Sequence, residues 1–237
     1  MPVVLRVPSP GRTHAERAQL VRQAWRGIEE RGLGRPVGLH PLLLSHLRVL
    51  ARPDREVDAR IWVGGRVRTL TAAAGGSAVH ATLAEGVLNL RPASPEGLPS
   101  AAVATLPSLQ AGPGHSITLP TDDFEAAAFV AGGTREGFVT ALRDRGVRDE
   151  DVATLAEMVS DLLGQGQFGA AARDRFGRRH RAGRVVAFFD TTEGRYVHIT
   201  RSNGNAMPWT TISPVDQRRM LQHVTELLAE VVQISGG

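Results

Sequence analysis

Cysteine and lysine are both absent from this 237-residue chain, tyrosine occurs once, and aromatic residues make up only 5% of it. Without cysteine there are no disulfides and no thiolate metal sites. With few aromatics, the stacking platforms that grip single-stranded nucleic acid are hard to build. No apolar run approaches the roughly 18 residues needed to span a membrane. The N-terminus, MPVVLRVPSPGRTHAER, lacks the basic start and long apolar stretch of a secretion signal. A cytosolic protein is the simplest reading. The absence of lysine also explains an isoelectric point of about 10.9. All 28 basic residues are arginines, and 24 acids hold the formal net charge to +4. Arginine titrates above about 12, so the high isoelectric point reflects residue choice more than excess charge. That choice points to a GC-rich genome rather than to a DNA ligand, and a charge of this size names no partner.

What is present is a hydrophobic fraction of 42%, enough for a substantial core, and one pattern stated twice. AWRGIEERGL (24–33) and VTALRDRGV (139–147) both read as helix ends closed by a glycine, Gly32 and Gly146. A second apolar helix follows each: HPLLLSHLRVLA (40–51) and DEDVATLAEMVSDLLG (149–164). Four alternating strands come next in each half. In the first they are EVDARIWV, RVRTLTAAA, AVHATLAE and VLNLRPA; in the second, FGAAARDR, RVVAFFDT, GRYVHIT and WTTIS. Period-two alternation between glycine-rich turns marks antiparallel meanders. Each meander leads to a helix expected to start at a proline, over 93–106 with Ser94 as N-cap and Pro95, and over 212–232 with Ser213 and Pro214.

The result is an α+β fold with one central antiparallel sheet and a pseudo-twofold internal repeat. The half-repeats span about 12–106 and 122–232 within a single domain over 1–237; two independent domains are the alternative. Thr13 and Glu16 form a capping box after the PSPG break. Ala18, Val21, Trp25 and Ile28 then line one helix face. Met220, Leu221, Val224, Leu227, Leu228 and Val231 do the same in the last helix. Both stripes read as core.

Candidate chemistry is sparse. The eight histidines show no H-x-x-x-H or H-E-x-x-H spacing. GQGQFG (164–169) matches G-x-G-x-x-G but follows a helix and precedes a strand, the reverse of a dinucleotide site; Gly164 and Gly166 read as helix-ending and turn residues. GGSAV lacks the closing glycine of a nucleophile elbow. The acids of TDDFE and RDEDV sit at helix starts, where the dipole favours them. No catalytic residue, metal or cofactor is implied, and an enzyme would need a site assembled from distant residues. RDRFGRRHRAGR (173–184) holds six arginines and reads as a hydrated hairpin tip. Its alternative is a nucleic-acid or anion-binding module using the Arg173–Arg184 hairpin.

GRTHAER (11–17), ARPDREVDARIWV (51–63), GQFGAAARDRFGRRHRAGRVVAFFDTTEGRYV (166–197) and WTTISP (209–214) together resemble the EspG family of ESX (type VII) secretion-associated proteins of actinobacteria. The likeness runs over roughly residues 3–232. It implies a central antiparallel sheet flanked by two helical bundles. It also implies a cytosolic, non-enzymatic chaperone that binds the apolar helical tip of a PPE or PE–PPE-like secretion substrate, keeps it soluble and directs it to its secretion system. Relatives carry a further N-terminal strand and helix, so that segment is expected to be missing here. Some have a long loop in the first meander where this chain has the short AAGGSA (73–78). A homodimer is a further expectation from the family. Partner-binding candidates are the two meander tips (Gly75, Gly76 and Ser77; Phe176, Arg178 and Arg179) and, on the last helix, Arg219 and His223.

Overall fold

The computed structural model describes residues 3–6, 11–130, 134–202 and 207–236. A 3₁₀ turn at Val3–Leu5 precedes helix α1 (His14–Glu30). Of the PSPG break only Gly11 lies within the described residues. The capping box forms: the Glu16 amide donates to Thr13 Oγ1 at 3.2 Å, and the Thr13 amide donates back to the Glu16 carboxylate at 3.1 Å. At the other end Leu33 donates to the Ile28 carbonyl and Gly32 to that of Glu29, a Schellman closure with Gly32 at φ +67°. A two-stranded ribbon, β1 (Gly34–Arg35) and β2 (Gly38–Leu39), leads to α2 (Pro41–Ala51).

The first meander is β3 (Arg55–Val63), β4 (Arg66–Ala74), β5 (Ser77–Ala84) and β6 (Val87–Ala93). A short helix, α3 (Leu98–Val103), follows. Then come β7 (Ile117–Pro120), α4 (Thr121–Val130), α5 (Arg135–Arg143) and α6 (Asp149–Met158). α5 closes as α1 does, with Val147 donating to Leu142 and Gly146 to Arg143. The second meander is β8 (Leu162–Arg173), β9 (Arg179–Arg181), β10 (Val186–Thr191), β11 (Arg195–Arg201) and β12 (Trp209–Pro214), ending in α7 (Gln217–Gly236).

Both meanders share one sheet, in the order β6-β5-β4-β3-β8-β10-β11-β12-β7, with β9 pairing beside β8. Every neighbouring pair is antiparallel. The chain therefore runs outward from the β3–β8 pair in both directions. The helical layers are unequal: α3 has six residues and α7 twenty. On one face α3 and α7 cover the sheet, burying Val57, Ile61, Phe168, Phe188 and Val197 against Leu98, Met220, Val224, Leu227 and Val231. On the other face α2 and the N-terminal 3₁₀ turn cover β4 and β5, and α4–α6 cover β7, β11 and β12.

Several boundaries differ from expectation. α6 stops at Met158 rather than near 164, and Asp161 takes φ +48° before β8 begins. Gly164 and Gly166 thus lie inside a strand. A Cβ on Gly166 would come within 2.7 Å of the Phe188 ring, so glycine there lets the aromatic lie flat on β8. α3 begins after Gly97, with Pro99 rather than Pro95 in its first turn. Ser94 instead starts a turn, its carbonyl accepting from the Gly97 amide. Pro214 ends β12, and Asp216 caps α7 by accepting from the Arg219 amide at 2.7 Å. The α1 stripe is not core: no residue of that helix is buried, and Val21 is 50% exposed. The α7 stripe is core, with Leu221 half-buried.

Candidate functional site

The two helical groups leave a strip of sheet bare between them. It consists of β3, β8 and β10. The residues that face outward from it are Glu56, Asp58, Arg60 and Trp62, then Gln165 and Gln167, then Ala187 and Phe189, as the registers Arg60↔Gln167 and Gln167↔Ala187 require. At the β3–β4 turn end the strip deepens into a groove of about 1060 Å³. Its floor holds Arg60, Trp62, Gln165, Gln167 and Phe189; Arg66, Arg68 and Leu83 lie along one side and His198 along the other. Trp62, one residue from the end of β3, is 51% exposed, unusual for so large an apolar ring.

Charge is distributed unevenly along the strip. At the far end the sheet's own carboxylates neutralise the arginines. Arg181 reaches diagonally over β8 to Asp58, donating at 2.6 and 3.1 Å. Gly169 makes room for it, since a side chain there would occupy the guanidinium's place. Arg179 pairs with Glu56 in the same way. In the groove Arg60 and Arg68 stand directly opposite each other on β3 and β4. Arg68 donates to the Arg6 carbonyl at 3.0 Å, but Arg60, Arg66 and Arg68 have no carboxylate partner among the described residues. Glu85 lies at the rim without an ion pair among the described residues. His198 stacks edge-on to Phe124, ring centres 5.5 Å apart. Burial lowers its pKa, against the opposing pull of Glu125. Its Nε2 has no hydrogen-bond partner among the described residues.

These pairings add to the picture of a hydrated arginine hairpin: Arg175, Arg178, Arg179 and Arg181 are exposed, but the last two are also ion-paired. Arg179 and Arg181 are bound as above, and Arg184 pairs with Glu230. Arg173 donates to the carbonyls of Pro53 and Gly177. Only Arg175 and Arg178 of the six present guanidinium groups with no polar partner among the described residues. Asp174, the lone acid, accepts from the Phe176 and Arg178 amides and pairs with His180 at 2.8 Å. The His180 contact is the main reason its carboxyl sits below the usual aspartate range. The stretch is a folded unit whose charges are largely satisfied within it and against β3.

The model of the EspG family matches residues 1–226. The chain belongs to the EspG family. Among solved structures it resembles the Mycobacterium tuberculosis type VII secretion system chaperone EspG5, solved in complex with a PE25–PPE41 dimer. The identity is 16%, the TM-score is 0.71, and the match covers 89% of this chain and 85% of that one. No curated protein matches the chain.

Within this EspG-family fold the expected partner-binding residues fall in two places. Gly75, Gly76 and Ser77 make the β4–β5 turn, and Phe176, Arg178 and Arg179 belong to the β8–β9 turn. The structure brings these tips to the same end of the sheet and joins them through Asp54. The Gly75 amide donates to its carboxylate at 3.1 Å, and the Arg173 amide donates to its carbonyl at 2.8 Å. Phe176 is 81% exposed, with the Arg175 guanidinium 4.9 Å from its ring centre. Arg219 and His223 lie apart on α7, on the face opposite the groove; His223 is half-buried, which lowers its pKa. None of the eight lines the groove. The groove residues Arg60, Trp62, Arg66 and Arg68 escaped the sequence reading. Their signal is the run ARIWVGGRVR, whose alternation around a turn puts three arginines and a tryptophan on one face.

Proposed function

We propose that this chain is a type VII secretion chaperone that binds a helical PE–PPE-like substrate by its apolar end. It keeps that end soluble and delivers the substrate to its secretion system. It acts in the cytosol and performs no covalent chemistry. The observation that carries the reading is membership of the EspG family, supported by a fold like that of EspG5, which was solved with a PE25–PPE41 dimer. An exposed apolar helix end is an aggregation hazard, and reversible burial needs only a shaped, partly polar surface. The groove supplies one. Its exposed Trp62 and half-buried Phe189 offer apolar contact beside polar glutamines. The two tips at the other end of the sheet, with Phe176, offer a second patch.

Co-expression with each PE–PPE pair encoded in the same genome tests the proposal. A cognate pair that is insoluble alone should become soluble and co-elute with the chaperone at the mass of one copy of each chain. Trp62→Ala should weaken that complex by about tenfold or more, as loss of a central aromatic anchor does. Failure of every pair to form such a complex would refute the assignment.

A further inference from the structure

We infer that the groove selects its occupant by charge: the helix that lies in it carries two carboxylates one turn apart along one edge, beside its apolar face. This rests on the chaperone reading only for the natural partner's identity. The chemistry comes from the groove itself.

The groove's lining runs from Leu83 on β5 to His198 on β11, six strands or about 24 Å, so an α-helix about 10–12 Å across with its side chains seats in it along the arginine side. The groove is also polarised across its floor. Arg60, Arg66 and Arg68 lie on the β3–β4 side, while Ala187, Phe189 and the neutral-leaning His198 lie on the β10–β11 side. An amphipathic helix seated there places its apolar face on Trp62 and Phe189 and one polar edge against the arginines.

Like charges facing each other across a strand pair destabilise a sheet. The Arg60–Arg68 pair is tolerated here without an acid partner among the described residues, although the same β3 strand supplies Glu56 and Asp58, four and two residues before Arg60, to neutralise Arg179 and Arg181. An incoming carboxylate between Arg60 and Arg68 removes that repulsion. Arg66 and Arg68 are alternate residues of one strand, hence about 7 Å apart. Carboxylates at i and i+4 of a helix are separated by about 6 Å along its axis. The two spacings match.

A nucleic acid is the competing class of occupant. It requires a continuous basic track, and this one ends where Glu56 and Asp58 begin. Glu85 stands at its rim.

The probe is a 20-residue fluorescein-labelled helical peptide with leucine and phenylalanine on one face and a Glu pair at i and i+4 on the adjoining edge. Its control has Gln in both places. The Glu peptide should bind the full chain about tenfold more tightly than the Gln peptide at low salt, and the preference should shrink as salt rises. Arg60→Gln with Arg66→Gln should abolish the preference while the melting temperature stays level or rises, because neither side chain has an internal partner to lose. Equal binding of both peptides, or a preference that survives the double variant, overturns the inference. So does displacement of the Glu peptide by a single-stranded RNA oligonucleotide at lower concentration than by unlabelled peptide. PE–PPE co-elution is a separate readout. A chain that captures its substrate but ignores peptide charge keeps the chaperone role and loses this selectivity. A chain that captures no substrate but prefers the Glu peptide keeps the selectivity and loses the role.

Discussion

Arg195 is the largest side chain with no solvent exposure, and its charge is matched by a buried Asp190 through contacts of 2.6 and 2.9 Å. The same guanidinium donates to the Pro107 carbonyl and lies 5.3 Å from the Phe188 ring centre. Backbone bonds at Arg195 tie in Gln110, Gly112 and Val215. One residue thus pins the segment joining the two meanders against the sheet. Breaking a buried pair by removing one partner strands the other charge, a loss of about 3–5 kcal/mol. Asp190→Asn should therefore shift the urea unfolding midpoint strongly downward. Replacing both residues together, Asp190→Leu with Arg195→Met, should recover much of the loss, since no unpaired charge then remains. The arginines at the surface of β9 obey the same rule in weaker form, because their guanidinium groups keep contact with water.

Among the elements, α1 stands out because it is well capped and poorly packed. Its capping box and Schellman closure are complete, yet none of its seventeen residues is buried. Local sequence has specified the helix while tertiary contacts do little to hold it. Thr13→Ala should cost the helix about 1 kcal/mol, which is near a fivefold rise in the amide exchange of α1. The global unfolding midpoint should barely move, because α1 contributes almost nothing to the core. A matching fall in both would mean that α1 packs more firmly than its exposure indicates. α7 is the contrasting case. Its twenty residues carry the stripe that fills the core beneath β3, β8 and β10, so for it periodicity and packing agree.

For the molecule as a whole, acidification should be destabilising well above the carboxylate range. His80, His198 and His223 all have pKa values lowered from 6.5, in each case chiefly by burial. Arg91 adds to the effect at His80, and neighbouring arginines add to it at His223, where Glu226 opposes. The unfolded chain takes up protons near pH 6.5, whereas the folded chain takes them up only at lower pH. The unfolded state is therefore favoured as pH falls below about 6.5, until the folded-state values are reached. Melting temperatures measured from pH 8 to pH 5 should decline across that window, and His80→Gln should flatten the decline. A second loss should begin below about pH 4, where the unfolded chain's aspartate takes up a proton that folded Asp151, held low mainly by its hydrogen bond to His115, takes up only at lower pH.

Most strands of the two meanders, the helix closures at Gly32 and Gly146 and the EspG resemblance were legible in the sequence, whereas the β1–β2 ribbon, β9 and the edge strand β7, inside the segment read as a join, were not. The legible features depend on residues within a few positions of one another: alternation, glycine turns and caps. The start of β8 was misplaced because Gly164, packed against β3, and Gly166, which accommodates Phe188, look like glycines that end a helix. What the charged strands do depends on contacts between distant elements. Arg179 and Arg181 find their carboxylates 123 residues away, a separation no local pattern reveals. Arg60, Trp62, Arg66 and Arg68 become the lining of a groove only because the β3–β4 pairing sets them side by side on one face, at an end of the sheet that the helices leave open. Local chemistry sets which residues point outward; the packing of distant elements sets whether outward means solvent, ion pair or docking surface.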